Sequence, residues 1–453
     1  MNILFLLVKN TAALDFALPL LVEAKRRHPA ASISVLYCRP RKKQLLRDAR
    51  YYSDEFGSVG IAEYDLGHFV RGAARMWLVM LGWIVSGSTR DSRAGRTGTS
   101  WIRDWNRKLQ LRLERAVVGS VQSDDILALL RPDIILLDHT SSSLRAYGDF
   151  IHTNRNRYQG PIILVPHAPH HAKEVAFTPY GQSSPALPKH CEFWIPFLHE
   201  KPWKAVPDLR DQFVFVGYPG LDTAWINGLI AQRKSSARAR SEPSSSLTCM
   251  FVIRRFLSPH EARGPGDNEF VYSYEEMAEL TAKISRALRK LDRPVTVVVK
   301  PHPSTNFTMV RALLVEAGFP DWTVSSEPTY DSMRDIDFVV GLYSTVLFIP
   351  ILAGIPGVLL SSSTQEHVHK WLKLKSLYTG LQYYVDDHDG LESTLAAAAQ
   401  EAIRRKTAGR ENDPDIEHLR RFFPDGAIDR GLDRIFNRGN TPAEAVTQAL
   451  GRS

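Results

Sequence analysis

Two stretches decide the fold: Val295-Thr-Val-Val-Val299 running into Lys300-Pro-His-Pro-Ser304, and Asp337-Phe-Val-Val340 running into Gly341-Leu-Tyr-Ser-Thr345. Each opens with an apolar run of strand length, rich in β-branched and aromatic residues. The first is expected to stop where Pro301 and Pro303 remove ladder donors and fix a turn. The second passes into a Ser-Thr pair and an apolar helix that ends at Gly354-Ile-Pro356. Both motifs therefore fall at strand C-termini. In an open parallel sheet that edge is where loops meet helix N-termini, whose unsatisfied N–H groups and dipole attract anions. A histidine held by two prolines, and two hydroxyls at a helix start, offer donors with little freedom to lose, and the site they imply is for nucleotide phosphate.

Working outward, Leu247 to Ile253 reads as the strand that starts this half, ending in Arg254-Arg255, and Tyr274 to Leu291 as a helix with acidic residues in its first turn. Arg254 could clamp a phosphate bidentately or lie on the surface, and Lys300 could add compensating charge. Beyond Pro356 follow a strand (357–360), a helix containing Trp371, a strand (382–385) and a helix (391–404). The first half repeats the pattern without repeating the sequence. Ile3 to Val8, Ser32 to Tyr37, Pro132 to Asp138, Pro161 to Val165 and Phe213 to Val216 read as strands, with a helix over 14–27. No Gly-x-Gly-x-x-Gly follows the first strand, so a dinucleotide site there is unsupported. The segment 233–246 is rich in Ser, Arg and Pro and reads as a linker or exposed loop. The division expected is therefore 1–232, a linker at 233–246, 247–415, and a C-terminal helical segment at 416–453.

At about 150 residues per domain, the length of 453 residues points to two or three compact units, and two is the reading adopted. Apolar content of 44% and charged content of 23% exclude a disordered or collagenous chain. A formal charge of +8 calls for an anionic partner, and no nucleic-acid motif accompanies it. Cys38, Cys191 and Cys249 are odd in number and far apart, which argues against a disulfide framework and for a reducing compartment. No apolar run approaches the roughly 18 residues of a membrane span. From Phe69 to Arg115, aromatics lie beside crowded arginines, which reads either as a helix on an anionic bilayer or as a core helix followed by solvated chain.

Two strands of the first half end in titratable groups, Asp138-His139 and Pro166-His167-Ala-Pro-His-His171. The histidine spacing matches no metal-binding pair, and no cysteine is near. His167 could take a proton from a hydroxyl at neutral pH, or be a loop histidine satisfied by hydrogen bonds. Asp138 is an alternative base.

Strand-Lys-Pro-His-Pro followed by strand-x-x-Tyr-Ser-Thr-helix-Gly-x-Pro resembles the C-terminal half of the GT-B glycosyltransferases that use CMP- or CDP-activated donors. These include the CDP-glycerol glycerophosphotransferases and the capsule Kdo- and polysialyltransferases. Gly217-Tyr-Pro-Gly-Leu-Asp222, and Asp425-Gly426 with Arg430 and Asp433, fit the same resemblance, which covers roughly 160–436. It implies an α/β GT-B fold of two Rossmann-like domains with parallel sheets facing a cleft. It places His302, Ser344 and Thr345 on the donor nucleotide and its phosphate, and His167 as base toward the acceptor hydroxyl. Glycerophosphotransferases and Kdo transferases carry an acidic residue one turn past the Ser/Thr pair; here that position is Ile349. The glycine after the basic histidine is here Ala168.

The implied function is transfer of a sugar or glycerol phosphate to a surface polysaccharide or glycolipid, without cofactor or metal. The implied location is cytoplasmic, peripheral to the inner face of the bacterial plasma membrane. The competing readings are a nucleotide-sugar 2-epimerase or hydrolase of the same fold and a catalytically silent binding scaffold.

Overall fold

The computed structural model describes residues 1–7, 12–37, 50–65, 68–69, 123–139, 158, 160–166, 191–196, 207–238, 246–259, 272–302, 305–325, 329–342, 344–361, 382–386, 390–407 and 414–437. The chain forms two compact units, Met1–Gly220 with Gly426–Ser453, and Leu221–Asp425. In chain order the first contains β1 (Asn2–Leu7), α1 (Ala12–Arg27), β2 (Ser32–Tyr37), α2 (Arg50–Val59), β3 (Ala62–Asp65), α3 (Ser123–Leu130), β4 (Ile134–His139), β5 (Ile162–Pro166), β6 (Cys191–Ile195) and β7 (Phe213–Phe215). The second contains α4 (Thr223–Arg238), β8 (Leu247–Ile253), α5 (Tyr274–Arg289), β9 (Val295–Pro301), α6 (Phe307–Glu316), β10 (Trp322–Val324), α7 (Thr329–Ser332), β11 (Phe338–Leu342), α8 (Phe348–Leu352), β12 (Gly357–Ser361), β13 (Gln382–Asp386), α9 (Leu391–Thr407) and α10 (Pro414–Phe422). A final helix, α11 (Ala427–Phe436), belongs to the first unit.

Both sheets are parallel. The first runs β3-β2-β1-β4-β5-β6-β7 and the second β10-β9-β8-β11-β12-β13. Each thus starts at a central strand, grows one way through its second and third strands, then reverses to the other side, which is the doubly wound order. The apolar runs read from the sequence are the strands nearest the centre, buried on both faces: Ile3 to Leu7 in β1 and Cys249 to Ile253 in β8. In the second unit the core lies between the sheet and α5, α6 and α9, with Phe251 stacked on Phe319 at 5.6 Å. α5 starts at a capping box, in which the Glu276 N–H donates to Ser273 Oγ at 3.1 Å and the Ser273 N–H donates to Glu276 Oε2 at 2.7 Å.

The structure departs from the sequence reading in several places. β9 does not stop before the prolines but pairs with β8 through Pro301, opposite Ile253. In this strand odd-numbered residues donate toward β10, as Val297 does to Asp321 O at 2.7 Å, whereas His302 donates to Ile253 O on the β8 side at 2.8 Å. The N–H that Pro301 lacks would point past the end of β10, so nothing is lost. The segment expected to be a linker from 233 begins inside α4, which continues to Arg238 because Gln, Arg, Lys and Ala support a helix that Asp222 has started. β3 and β10 were not legible, being short and mixed in polarity, and neither was β6, a five-residue run interrupted by Glu192. Within 69–115 only Phe69 is described, and it is buried in the core of the first unit. The Trp371 helix lies outside the described residues. Among those described, no helix is long and apolar enough to cross a membrane.

The Gly217–Asp222 motif is architectural. Tyr218 is buried edge-on against Phe16 at 5.4 Å, and Asp222 caps α4 by accepting from the Ala224 N–H at 3.1 Å. Asp425 accepts from the Thr223 N–H and hydroxyl at 2.9 and 2.6 Å and pairs with Arg420. In the first unit, Arg430 donates to Val216 O at 2.8 Å, and Arg434 bridges both oxygens of Glu192 at 3.2 and 3.1 Å, which docks α11 on β6. An added Cβ at Gly431 would lie 2.7 Å from Leu20 Cδ1, so that side chain would have to shift to admit one.

Candidate active site: the strand ends of the second unit

β9, β8 and β11 are adjacent in that order, so the residues that follow them meet at one edge. The register places Ile253 opposite Pro301 and Val252 opposite Gly341, with neighbouring strands about 4.8 Å apart. His302, Arg254 and Ser344-Thr345 therefore leave three neighbouring strand ends. The boundary between β8 and β11 is where the strand order reverses, the crevice that doubly wound sheets use for ligands. Gly341 permits this approach: a Cβ would lie 2.7 Å from Val252 O and 2.8 Å from Val252 Cβ.

His302 is held from both sides. Its N–H donates to Ile253 O, and its carbonyl accepts from the Thr305 N–H at 2.8 Å, closing a turn ahead of α6. Asn306 then caps the helix through the Thr308 N–H at 2.9 Å. His302 is exposed as a residue, and nearby protein atoms partly desolvate its ring. Burial, followed by the nearby guanidinium charges of Arg254 and Arg255, lowers its pKa to about 4. At neutral pH the ring is uncharged and offers one N–H donor and one acceptor.

Arg254 is half-buried and Arg255 exposed. Their segment is pinned: the Tyr272 N–H donates to Arg255 O at 3.3 Å and the Leu257 N–H to Tyr272 O at 2.9 Å. Lys300 is half-buried on β9, opposite Val252. Ser344 is buried, and its carbonyl accepts from the Leu347 N–H at 2.9 Å, opening the helical turn Thr345–Leu347. The Thr345 side chain lies outside what is described. Ile349 is buried, so this turn brings no carboxylate to the edge from that position.

Sequence reasoning passed over Thr305. It is 6% exposed, and among the described residues its Oγ1 has no hydrogen-bonding partner. Its backbone N–H donates to His302 O, so it is a polar group beside the histidine whose satisfaction a ligand-induced shift or a bound water would change. The only signal was its place three residues after the histidine.

Asp138 and the chain leading to His167 belong to the other sheet. Asp138 sits opposite Val165 and His139 opposite Pro166 at the C-terminal ends of adjacent β4 and β5. The Asp138 side chain and the whole of His167 lie outside the described residues. Among the described residues, no three His, Cys, Asp or Glu side chains are grouped to hold a metal.

No known family and no curated protein matches the chain in sequence. In structure it resembles a UDP-N-acetylglucosamine 2-epimerase, with TM-score 0.51, 12% identity and coverage of 98% of both chains. It also resembles S. aureus MnaA solved with UDP, with TM-score 0.50, 13% identity and coverage of 98% of both chains. A wall teichoic acid polymerase, TagF, aligns over 99% of this chain and 88% of its own, at TM-score 0.46 and 9% identity. The fold is GT-B, an α/β architecture with two parallel sheets.

Proposed function

We propose that the β9-β8-β11 edge binds the phosphate of a nucleotide-activated donor, and that the protein transfers a sugar or glycerol phosphate to a hydroxyl. The acceptor is a surface polysaccharide or glycolipid chain, and the enzyme acts at the inner face of the membrane. The observation that carries this reading is the convergence of His302, Arg254, Lys300 and Ser344 on the strand ends where the sheet order reverses. In the sugar case the acceptor oxygen bonds to the anomeric carbon, the carbon–oxygen bond to phosphate breaks, and the nucleotide leaves with the electron pair. The acceptor proton goes to His167, with Asp138 as the alternative. Negative charge gathers on the departing phosphate, where the His302 N–H, the Ser344 and Thr345 hydroxyls and the cations of Arg254 and Lys300 stabilise it.

A thermal-shift series with CMP, CDP, UDP and GDP tests the reading, since a ligand that binds only the native state raises the melting temperature by mass action. A response to at least one nucleotide, lost in His302→Ala, is expected. No response to any of them would sink it.

The second reading, a nucleotide-sugar 2-epimerase or hydrolase, is favoured by the likeness in fold to a UDP-N-acetylglucosamine 2-epimerase. Turnover of a UDP-sugar without acceptor would select it.

A further inference from the structure

We propose that the C-terminal end of β3, in the first unit, binds an uncharged, hydroxyl-bearing sugar of the acceptor chain through the imidazole of His68 and the carboxylate of Asp65. The inference rests on the reading of the first unit's edge as the acceptor edge, and it narrows the acceptor class.

Asp65 is the last residue of β3 and lies opposite Tyr37 at the end of β2, so it opens onto the same edge of the sheet as Asp138 and His139 on β4. Three residues on, the His68 ring is held without being covered. Its Nδ1 lies 3.1 Å from both the Asp65 backbone nitrogen and Asp65 Oδ1, and the ring meets Tyr64 edge-on at 5.7 Å. Tyr64 packs in turn on the buried Phe69 at 6.1 Å, which ties the group to the core of the unit. The imidazole is nevertheless 51% exposed and the Asp65 side chain 25%.

Among the described residues, every polar contact of the His68 ring is made by Nδ1. Nε2 is left for a ligand, as an acceptor if Nδ1 carries the proton and as a donor if it does not. A sugar hydroxyl answers to either, since it donates and accepts, and it can also donate to the Asp65 carboxylate. The C–H face of a sugar ring suits the neighbouring Tyr64 ring. A ligand meeting a ring already fixed by Asp65 and Tyr64 immobilises little that was free.

Charge selects among acceptors. β3 carries two carboxylates, Glu63 and Asp65; Glu63 accepts from the Tyr37 and Ser53 hydroxyls, and among the described residues neither carboxylate is paired with a lysine or arginine. Such a strand end repels a chain with phosphate in every unit and suits neutral hydroxyls. Distance sets the role. Three strand spacings separate β3 from β4, about 14 Å at about 4.8 Å each, which is beyond hydrogen-bond reach of a hydroxyl reacting at the β4 end. His68 therefore holds a sugar further back along the chain.

The test applies the full chain, as wild type, His68→Gln and Asp65→Asn, to an array of neutral oligosaccharides and of phosphorylated or carboxylated ones. Retention of at least one neutral oligosaccharide is expected, weakened about tenfold or more in both variants, with thermal unfolding unchanged because both side chains are exposed. Retention of charged glycans only, retention of none, or undiminished retention by either variant would overturn the inference. A thermal response to nucleotide alongside any of those outcomes leaves the donor reading standing, whereas absence of that response takes down the donor reading itself.

Discussion

The C-terminal edges of the two sheets make an instructive pair, because the strand order is the same through six positions and the chemistry at the ends is not. The first unit's edge receives Asp138 and His139 from β4 and leads from Pro166 toward His167. The second unit's edge receives Arg254, Arg255, Lys300, His302 and Ser344. One set can accept a proton; the other can hold an anion. Topology therefore chooses the location of a site, because loops and helix starts gather where parallel strands end. What the site does is left to the few residues immediately after each strand.

The largest expected effect comes from the edge proposed to accept the proton. His167→Ala should lower the catalytic rate by about 100-fold or more while leaving nucleotide affinity near wild type, which kinetics and calorimetry on the same preparation would separate. A histidine base also predicts activity falling below about pH 6 to 7, whereas an unperturbed aspartate would sustain it to about pH 4. Full activity in His167→Ala together with loss in Asp138→Asn would move the role to Asp138.

The anion-holding edge should respond differently. His302→Ala is expected to cut turnover by about 10- to 1000-fold and to weaken nucleotide binding as well, since it removes a donor from the charge-stabilising set. If its binding were unchanged, the two edges would no longer divide the work as drawn.

Gly341→Ala probes the geometry under the second edge. The new methyl would press on Val252 O across the β8-β11 boundary, so a loss of about 1–3 kcal/mol in denaturant unfolding is expected, with weaker nucleotide binding. Unaltered stability would mean that the strands can part there without cost.

The smallest effect is a titration. The His302 ring should titrate near pH 4 in nuclear magnetic resonance of the ligand-free protein, below the ordinary histidine value of 6.5. The sign follows from linkage: the unfolded state binds the proton more readily, so the contribution to stability is complete above pH 6.5 and fades as pH falls toward 4. A dianionic ligand beside Arg254 and Arg255 offsets their field and should raise the midpoint. A midpoint at 6.5 would mean that neither burial nor the guanidiniums act on the ring.

Much of this was legible in the chain because central strands of a parallel sheet are buried on both faces, and so are written as unbroken apolar runs. Leu247 to Ile253 has the same limits in sequence and structure for that reason, and Ser32 to Tyr37 does too although Ser34 interrupts its apolar run. The edge strands β3 and β10 escaped because a strand with one neighbour and an open face needs little apolar character. Pro301 misled because the rule that proline ends a strand depends on which side its missing N–H faces, and that is a property of the sheet.

The site divides in the same way. Two prolines around a histidine, paired arginines, and Ser-Thr before an apolar helix are local patterns, and sequence alone marked each as a candidate. That His302, Arg254 and Ser344 leave neighbouring strands was decided by the tertiary structure, because strand order depends on crossover connections that no local pattern encodes. The same holds for the depressed pKa of His302 and the stranded hydroxyl of Thr305. Both arise from what packs around a side chain, and its neighbours in space come from strands far apart in the chain.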